Sequence, residues 1–324
     1  MANTLDEQLT KYLTDAHSIE AQALAQMRTA PKLAEDPALS EAFARHLQET
    51  EEQERLIGER LAARGGSPNA VKEAVMRLGG KGFILFARSQ PDTTGKLVAH
   101  AYSYEHLELA SYELLMRVAE LAGDEETATV ARRIRDQEAA MAERLESLFD
   151  AAVEASLREH RRDDLETLLV KYLTDAHAIE SQAEQLLKRG RKIAGDEDLA
   201  ELYAEHLEET RGQQDRLEER LEAHGGSPSA LKEAAMRLGA LNWGAFFQAQ
   251  PDTPGKLCAF AYAFEHLELG GQEQLVRVAR RAGDEETVRV VEDIIAEGRD
   301  MADRLTASFD RAANASLAAV GAAA

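Results

Sequence analysis

The chain has 324 residues and a formal net charge of −21 at pH 7, which suggests two domains and a surface that repels phosphate backbones and anionic lipids. We therefore expect neither nucleic acid nor membranes among its partners. A single cysteine excludes a disulfide framework and a thiolate metal cluster. The N-terminus carries no signal-peptide pattern, so a cytoplasmic location is expected. Abundant helix formers and few aromatic residues (5%) favour an all-helical protein.

Four long helices are predicted in the first half of the chain. The first runs from Leu5 to Met27, the second ends at Arg64 before Gly65-Gly66, the third spans about Thr94–Ala122, and the fourth begins at Asp124, a favourable N-cap. Apolar residues recur in each helix at spacings of three and four, which places them on one inward face. In chain order they are Leu9, Leu13, Ala16, Ala23 and Met27; Leu39, Phe43, Leu47, Ile57 and Leu61; Val98, Ala101, Tyr112, Leu115 and Ala119; and Val130, Ile134, Met141, Leu145 and Leu148.

The connection between the second and third helices is long. It covers 27 residues, Gly65–Pro91, with a short helix predicted at Asn69–Leu78, whereas the other two connections are much shorter. A link of this length can return along a whole helix, since a helix rises only about 1.5 Å per residue. The pattern is typical of a ferritin-like four-helix bundle with one crossover and not of a simple up-down-up-down bundle.

The second half of the chain repeats the first, without insertion or deletion, at a shift of 160 residues. The segment Lys11–His17 recurs as Lys171–His177, and Gln90–Thr93 recurs as Gln250–Thr253. A repeat of this length indicates a duplicated domain. We predict two tandem ferritin-like bundles related by a pseudo-twofold axis. Their predicted ranges are 1–157 and 163–317, followed by an Ala-rich tail, 318–324.

Charged and polar side chains interrupt the apolar faces, where a carboxylate is costly unless it is paired or binds a metal. Carboxylates and imidazoles that converge from four helices are what a di-iron or di-manganese site requires. The predicted metal ligands are Glu20, Glu49, Glu105 and Glu108 in the first copy and Glu180, Glu209, Glu265, Glu268 and Glu297 in the second. Additional ligands, or groups that orient the ligands, are predicted to be His46, Gln53, His106 and Gln137, with His206, Gln213 and His266 in the second copy.

The fourth helix differs between the two copies. Glu297 falls in an apolar stripe with Ile294 and Met301, whereas the equivalent residue of the first copy is Gln137, a neutral amide. Glu138 is rotated by about 100° from Gln137 around the helix and is predicted to face the seam or solvent. The second copy is therefore predicted to hold the better metal site.

Two hypotheses from different classes follow from these residues. In the first, the chain is a non-haem di-metal carboxylate protein that binds iron or manganese and oxidises Fe(II) with peroxide or O₂. In the second, it is a metal-free scaffold or interaction module whose inward carboxylates form a hydrogen-bonded network. Large-scale iron storage would need a hollow shell, which nothing in the sequence indicates. Metal ions are the expected partners, and self-association is a further alternative.

Three motifs resemble the YciE/YciF-type ferritin-like stress-protein family. They are Asp-Ala-x-x-x-Glu at Asp15–Glu20, His-Leu-x-Glu-Thr-x-x-Gln at His46–Gln53, and Glu-His-x-Glu-Leu-x-x-Tyr at Glu105–Tyr112. The first two recur in full in the second copy, and Glu-His-x-Glu-Leu recurs there as well. The resemblance covers nearly all of each copy, and it implies the ferritin-like fold, dimerisation, a di-metal site and an association with stress responses.

The sequence departs from this family at two places. The family usually has an acidic pair on the fourth helix, and each copy here keeps half of it, as Gln137-Glu138 and Glu297-Gly298. The second helix also lacks the Glu-x-x-His pattern of ordinary ferritins, which argues against fast oxidation of Fe(II).

Overall fold

The computed structural model describes residues 4–70, 73–74, 81–82, 84, 92–158, 164–229 and 252–322. Over these residues the chain is helical and contains no β-strand, as the sequence predicts. None of the described helices is both long and apolar enough to cross a membrane. The chain forms two compact units: unit 1 consists of Met1–Arg158 together with Val320–Ala324, and unit 2 consists of Glu159–Ala319.

Over residues 4–63 and 92–158, unit 1 is a bundle of four long helices, and two short helices flank them. They are α1 (Leu5–Met27), α2 (Ala30–Leu33), α3 (Pro37–Ala63), α4 (Thr93–Leu121), α5 (Glu125–Ser147) and α6 (Phe149–Leu157). α1 packs against α3 and α4, and α5 packs against the same two helices, so the four long helices enclose one core. Their bounds lie within a residue or two of those predicted. The separate helix α6, which follows a break at Leu148, was not predicted.

Side chains that cap free N–H groups determine where the helices of unit 1 begin. Thr4 and Glu7 form a capping box at the start of α1, and Asp36 accepts from two N–H groups in the first turn of α3. Asp124 accepts from the N–H of Thr127 at 3.0 Å, which confirms it as the N-cap of the fourth long helix. Such caps stabilise a helix by about 1 kcal/mol each.

Helices α3 and α4 run in the same direction. At one end of the bundle, Oγ1 of Thr94 donates to the carbonyl oxygen of Ala34, which joins the start of α4 to the start of α3. At the other end, the Arg64 guanidinium at the end of α3 lies 2.8 Å from Asp124, which follows α4. The connection between α3 and α4 therefore links opposite ends of the bundle, as the predicted crossover requires. The short helix predicted at 69–78 lies mostly outside the described residues.

Unit 2 has the same arrangement of long helices. Its helices are α7 (Leu165–Ile193), α8 (Glu197–Ala223), α9 (Thr253–Ala282), α10 (Glu285–Ala307) and α11 (Phe309–Ala319). α7 and α10 each pack against α8 and α9. His224, directly after α8, lies 2.6 Å from Asp284, which follows α9, and Gly195 lies against Pro254 at the opposite end. Helices α8 and α9 are therefore also parallel.

The core of unit 1 contains most of the predicted inward faces. In α1 and α4, every apolar residue predicted to face inward is buried. Three predictions on the other long helices are wrong, because Leu47, Val130 and Leu148 are only half-buried. His46 and Ala131, the neighbours of the first two, are completely buried in their place.

Candidate metal centre

Four buried polar side chains form a compact group in the middle of unit 1. His46 comes from α3, Glu105 and Glu108 come from α4, and Glu138 comes from α5; one possible ligand atom of each lies within 4.8 Å of the others. Nε2 of His46 is 3.0 Å from Oε2 of Glu105 and 3.5 Å from Oε2 of Glu138. Each of the four residues is at most 1% exposed, so the group is shielded from water.

A fifth buried side chain, Glu20 of α1, faces the same group. The hydroxyl of Tyr112 donates a hydrogen bond to Oε1 of Glu20, and the Glu20 carboxyl interacts electrostatically with His46 and Glu105. Glu20 is completely buried. Each of the four long helices of unit 1 therefore contributes a polar side chain to one region of the core.

Several oxygen atoms in this region have few or no hydrogen-bond donors. Among the residues that the structure describes, Oε2 of Glu20, Oε1 of Glu105, Oε1 of Glu108 and Oε2 of Glu138 are buried without a well-formed hydrogen bond, and Oε2 of Glu105 has Nε2 of His46 as its neighbour at 3.0 Å. A buried carboxylate without partners is costly because it has lost its hydration. These atoms can be satisfied by protons shared within the group or by a bound cation.

Burial and mutual repulsion favour protonated carboxyl groups in the absence of a cation. Burial raises the pKa of Glu20 from 4.5 to about 8. Burial, together with the charge of Glu20, raises the pKa of Glu108 well above its usual value, and burial does the same for Glu138. For His46, burial disfavours the charged form, but the neighbouring carboxylates raise its pKa well above the usual value. A cation that replaced these protons would relieve the repulsion between the carboxylates.

Two side chains at the edge of the group orient its members. Oε2 of Glu49 lies 3.3 Å from Nδ1 of His46, so Nε2 of His46 is directed at the carboxylates, an arrangement common in metal-binding histidines. The side-chain amide of Gln53 donates to Oε1 of Glu138. Glu49, predicted as a ligand, has a 22% exposed side chain and lies outside the group, whereas His46 lies inside it. The structure thus places His46 inside the group and Glu49 at its edge.

The orientation of α5 contradicts our prediction for Gln137 and Glu138. Glu138 is completely buried, whereas Gln137 is half-buried at the seam, where its Oε1 lies 3.3 Å from the amide nitrogen of Gln53. The prediction was wrong because it took Val130 as a core residue. Ala131 is the fully buried one, and a shift of one residue rotates the inward face by about 100°.

Unit 2 contains a smaller group of the same kind. His206 of α8 and Glu265 and Glu268 of α9 have possible ligand atoms within 4.8 Å of one another, and Nε2 of His206 is 2.7 Å from Oε2 of Glu265. Glu180 of α7 is buried beside them, and the amide of Gln272 donates to its Oε1 at 3.1 Å. Burial raises the pKa of Glu180 to about 8 and that of Glu268 well above its usual value.

Helix α10 contributes no carboxylate to the group in unit 2. Gly298 stands at the position equivalent to Glu138. Glu297, predicted to point inward, has a 40% exposed side chain and pairs with the Arg216 guanidinium, and its Oε2 accepts from the amide of Gln213 at 3.2 Å. The prediction that the second copy holds more inward carboxylates than the first is therefore wrong. The larger group lies in unit 1.

Three further predicted groups lie outside both clusters of buried ligand atoms. The Glu209 side chain is 38% exposed and lies 3.3 Å from Arg304. Nδ1 of His106 lies 2.7 Å from the backbone carbonyl oxygen of Tyr102, and His266 makes the equivalent contact at 2.8 Å. Burial lowers the pKa of His106 to about 4, so its ring is neutral near pH 7. These three residues are therefore not members of either group in the structure.

Sequence reasoning missed Glu138 as a member of the group and Tyr112 as a donor. The spacing of Glu138 from Ile134 and Met141 fits an inward stripe once the small Ala131 is counted as a core residue. Tyr112 follows Glu108 by four residues, which places both on one face of α4. Its hydrogen bond to another helix could not be inferred from this spacing.

A sequence profile described as "Domain of unknown function (DUF892)" matches the chain twice, over residues 4–158 and 164–318. No solved structure matches the chain. Because the two matches cover nearly the whole chain, the protein belongs to this family, which is part of the ferritin-like superfamily. The double match agrees with the tandem duplication predicted from the internal repeat.

Proposed function

We propose, on the premise that both units are members of this family, that the protein is a ferritin-like metal-carboxylate protein that binds iron or manganese in a di-metal centre. The observation that carries the proposal is the buried group of His46, Glu105, Glu108 and Glu138 with Glu20 beside it, in which several carboxylate oxygen atoms are buried without a well-formed hydrogen bond. Carboxylate oxygens suit Mn(II), and an added imidazole suits iron. This donor set therefore favours these two metals over softer ions.

The charge of the group in unit 1 matches a pair of divalent ions. The four carboxylates of Glu20, Glu105, Glu108 and Glu138 carry four negative charges when all are deprotonated, and two divalent ions carry four positive charges. A neutral assembly avoids much of the penalty for burying charge in the core. The bound ions would also contact the carboxylate oxygens that share protons when no ion is bound.

The surrounding residues hold the donors in place. Glu49 fixes the ring of His46 through Nδ1, Gln53 donates to Glu138, and Tyr112 OH donates to Glu20. Bound iron or manganese supplies redox chemistry, so we propose the oxidation of Fe(II) by O₂ or peroxide, which would remove both reactants. The resemblance to YciE/YciF-type proteins supports a role in stress responses.

The alternative function is a metal-free scaffold with a buried polar network. Its support is the raised pKa of Glu20, Glu108 and Glu138, which lets the carboxyl groups satisfy one another as protonated acids. The two functions differ in one measurable property. A scaffold keeps its protons when a divalent ion is offered, whereas a metal protein releases them.

The proposed function is tested by metal binding to the full chain. The protein is purified without chelators and analysed for its elements, and the apo-protein is titrated anaerobically with Fe(II) and with Mn(II). The combined variant Glu105→Gln with Glu265→Gln removes a central carboxylate from each unit, and Glu51→Gln, an exposed position on α3, is the control. We expect binding by the parent and the control and a loss of at least tenfold in affinity for the combined variant.

The oxidation step is tested on the same three proteins. Fe(II) is added anaerobically, O₂ or peroxide is then introduced, and the consumption of Fe(II) and of the oxidant is followed over time. Faster consumption with the parent and the control than with the combined variant supports the step. If the folded parent binds neither metal, the scaffold is the correct function.

A further inference from the structure

The two units differ at one buried position of the candidate metal centre. Glu138 in unit 1 is replaced by Gly298 in unit 2, and no other carboxylate of the described residues takes its place in the group. A Cβ atom built on Gly298 would lie 2.7 Å from Oε1 of Glu265. The carboxylate of Glu265 therefore extends into the space where a side chain at position 298 would begin.

A positive charge stands beside the smaller group. Arg216 of α8 pairs with Glu297, and its charge acts on the buried Glu180 carboxyl. The equivalent residue of unit 1 is Leu56, which has no charge. The guanidinium also holds the Glu297 carboxylate at the half-exposed seam, so Glu297 does not compensate for the glycine at position 298.

The histidine of unit 2 is also held differently. Among the described residues, Nδ1 of His206 has no hydrogen-bond partner, whereas Nδ1 of His46 contacts Glu49. Glu209, the equivalent of Glu49, instead lies 3.3 Å from Arg304. The His206 imidazole therefore lacks a carboxylate at Nδ1 like the one that fixes the equivalent His46 ring in unit 1.

Unit 2 nevertheless keeps enough ligand atoms to bind one cation. Oε2 of Glu180 and Oε1 of Glu268 are buried without a well-formed hydrogen bond among the described residues, Oε2 of Glu265 lies 2.7 Å from Nε2 of His206, and Glu180 is 1% exposed. With His206 these residues offer three carboxylates and one imidazole. Three negative charges exceed the two positive charges of one divalent ion but fall one short of the four that two ions carry, and Arg216 adds further repulsion.

We propose that the two units bind different numbers of metal ions, two in unit 1 and one in unit 2. This inference rests on the proposed function and concerns only how the ions are distributed. The complete group of unit 1 is the di-metal centre, and unit 2 provides a mononuclear site. The units differ by one carboxylate, which Glu138 provides and Gly298 does not. A single substitution in either unit should therefore change the number of ions that this unit binds.

The test is the number of Mn(II) ions bound by the full chain, measured by equilibrium dialysis with elemental analysis. We expect three ions per chain in the parent, two for unit 1 plus one for unit 2. Glu138→Gly should remove one of them, and Gly298→Glu should add one. Gly298→Ala is the steric control, because its Cβ displaces the Glu265 carboxylate in the same way but brings no carboxylate of its own, and it should not add an ion.

Electron paramagnetic resonance gives a second reading of the same samples. An isolated Mn(II) ion shows resolved hyperfine lines, whereas two neighbouring Mn(II) ions couple and lose this pattern. The parent should show both kinds of signal, and Glu138→Gly should show only isolated ions. Circular dichroism confirms that each variant is folded; if Gly298→Glu does not fold, Glu138→Gly still decides the question.

The possible results separate the inference from the proposed function. Equal numbers of ions in the two units would overturn the inference and leave the proposed function standing. They would appear as an even total of bound ions that Glu138→Gly in unit 1 and Glu265→Gln in unit 2 lower alike. If all the bound Mn(II) ions were in unit 2, so that Glu138→Gly did not change their number, the inference would also be overturned. Absence of Mn(II) and Fe(II) from the folded parent would reject the proposed function itself.

Discussion

The hydroxyl of Tyr112 on α4 donates a hydrogen bond to Oε1 of Glu20 on α1. In unit 2 the amide of Gln272 donates to Oε1 of Glu180 from the equivalent position. A phenol and an amide thus perform the same task, which is to supply a donor to a completely buried carboxyl group. The shared requirement is the donor and not the aromatic ring.

Loss of this donor should destabilise unit 1. Tyr112→Phe removes only the hydroxyl, and Oε1 of Glu20 is then buried without a partner, so we expect the free energy of unfolding of the apo-protein to fall by about 1–3 kcal/mol. The measurement is chemical denaturation at neutral pH. Gln272→Leu provides the matched change in unit 2 and should have an effect of similar size. An unchanged stability for both variants would show that these hydrogen bonds do not stabilise the fold.

The apo-protein should become less stable as the pH rises from mildly acidic to mildly basic values. Burial raises the pKa of Glu20 and of Glu180 from 4.5 to about 8, so the native state binds more protons than the unfolded state between these values. Their contribution to stability is complete below about pH 4.5 and is lost as the pH rises through about 8. Denaturation at a series of pH values and constant ionic strength measures this loss.

The variant Glu20→Gln with Glu180→Gln provides the control for this pH dependence. Glutamine does not titrate, so the decline in stability toward pH 8 should be shallower in the variant than in the parent. A parent whose stability is flat or rises over the same range would contradict the protonated state that we assign to these two carboxyl groups.

Metal binding should release protons and should be tighter at higher pH. The carboxyl groups of Glu108 and Glu138 have a raised pKa and must lose their protons before their oxygens can all bind an ion. We expect the affinity for Mn(II) to increase as the pH rises from 6 to about 8. Calorimetric titration in buffers of different ionisation enthalpy counts the protons released. Binding without proton release would place the ions elsewhere on the acidic surface.

The end of unit 1 at Asp124 should be sensitive to acid. Burial opposes ionisation of Asp124, but hydrogen bonds from Thr127 and the guanidinium groups of Arg60 and Arg64 lower its pKa to about 2. The stabilisation is present above about pH 4 and is lost as the pH falls toward 2. Asp124→Asn keeps a good N-cap but removes the charge, so we expect a loss of about 1–3 kcal/mol at neutral pH.

Asp36→Asn is the appropriate comparison for Asp124→Asn. Asp36 caps α3 through backbone N–H groups, and asparagine caps a helix about as well. Its substitution should change stability by a few tenths of a kcal/mol only. Equal losses for the two variants would mean that the ion pairs with Arg60 and Arg64 contribute nothing beyond the cap.

The sequence alone predicted α1 and α4 correctly because their inward residues form unambiguous stripes. In α4, Glu105 and Glu108 lie between large apolar residues at helical spacing, and all of them are buried. In α5 the same reasoning failed, because it placed Val130 in the inward stripe instead of the smaller Ala131, which is the completely buried residue. Small residues pack where helices approach closely, and that closeness is a property of the assembled bundle and not of one helix.

The contacts that distinguish the two units could not be predicted from the sequence. The identities of Gly298 and Arg216 are visible in the repeat alignment, but their consequence depends on which side of each helix faces the neighbouring helix. Arg216 meets Glu297 from a different helix, and Glu265 extends toward Gly298. Such pairings between residues far apart in the chain require the three-dimensional arrangement.

The tandem duplication allows the difference between Glu138 and Gly298 to be inherited. A homodimer is translated from one reading frame, so every substitution appears in both subunits at once. When two copies lie in one polypeptide, Glu138 and its counterpart Gly298 occupy separate codons and can change independently. Each translated molecule then carries both versions in a one-to-one ratio, without any need to sort mixed subunits during assembly.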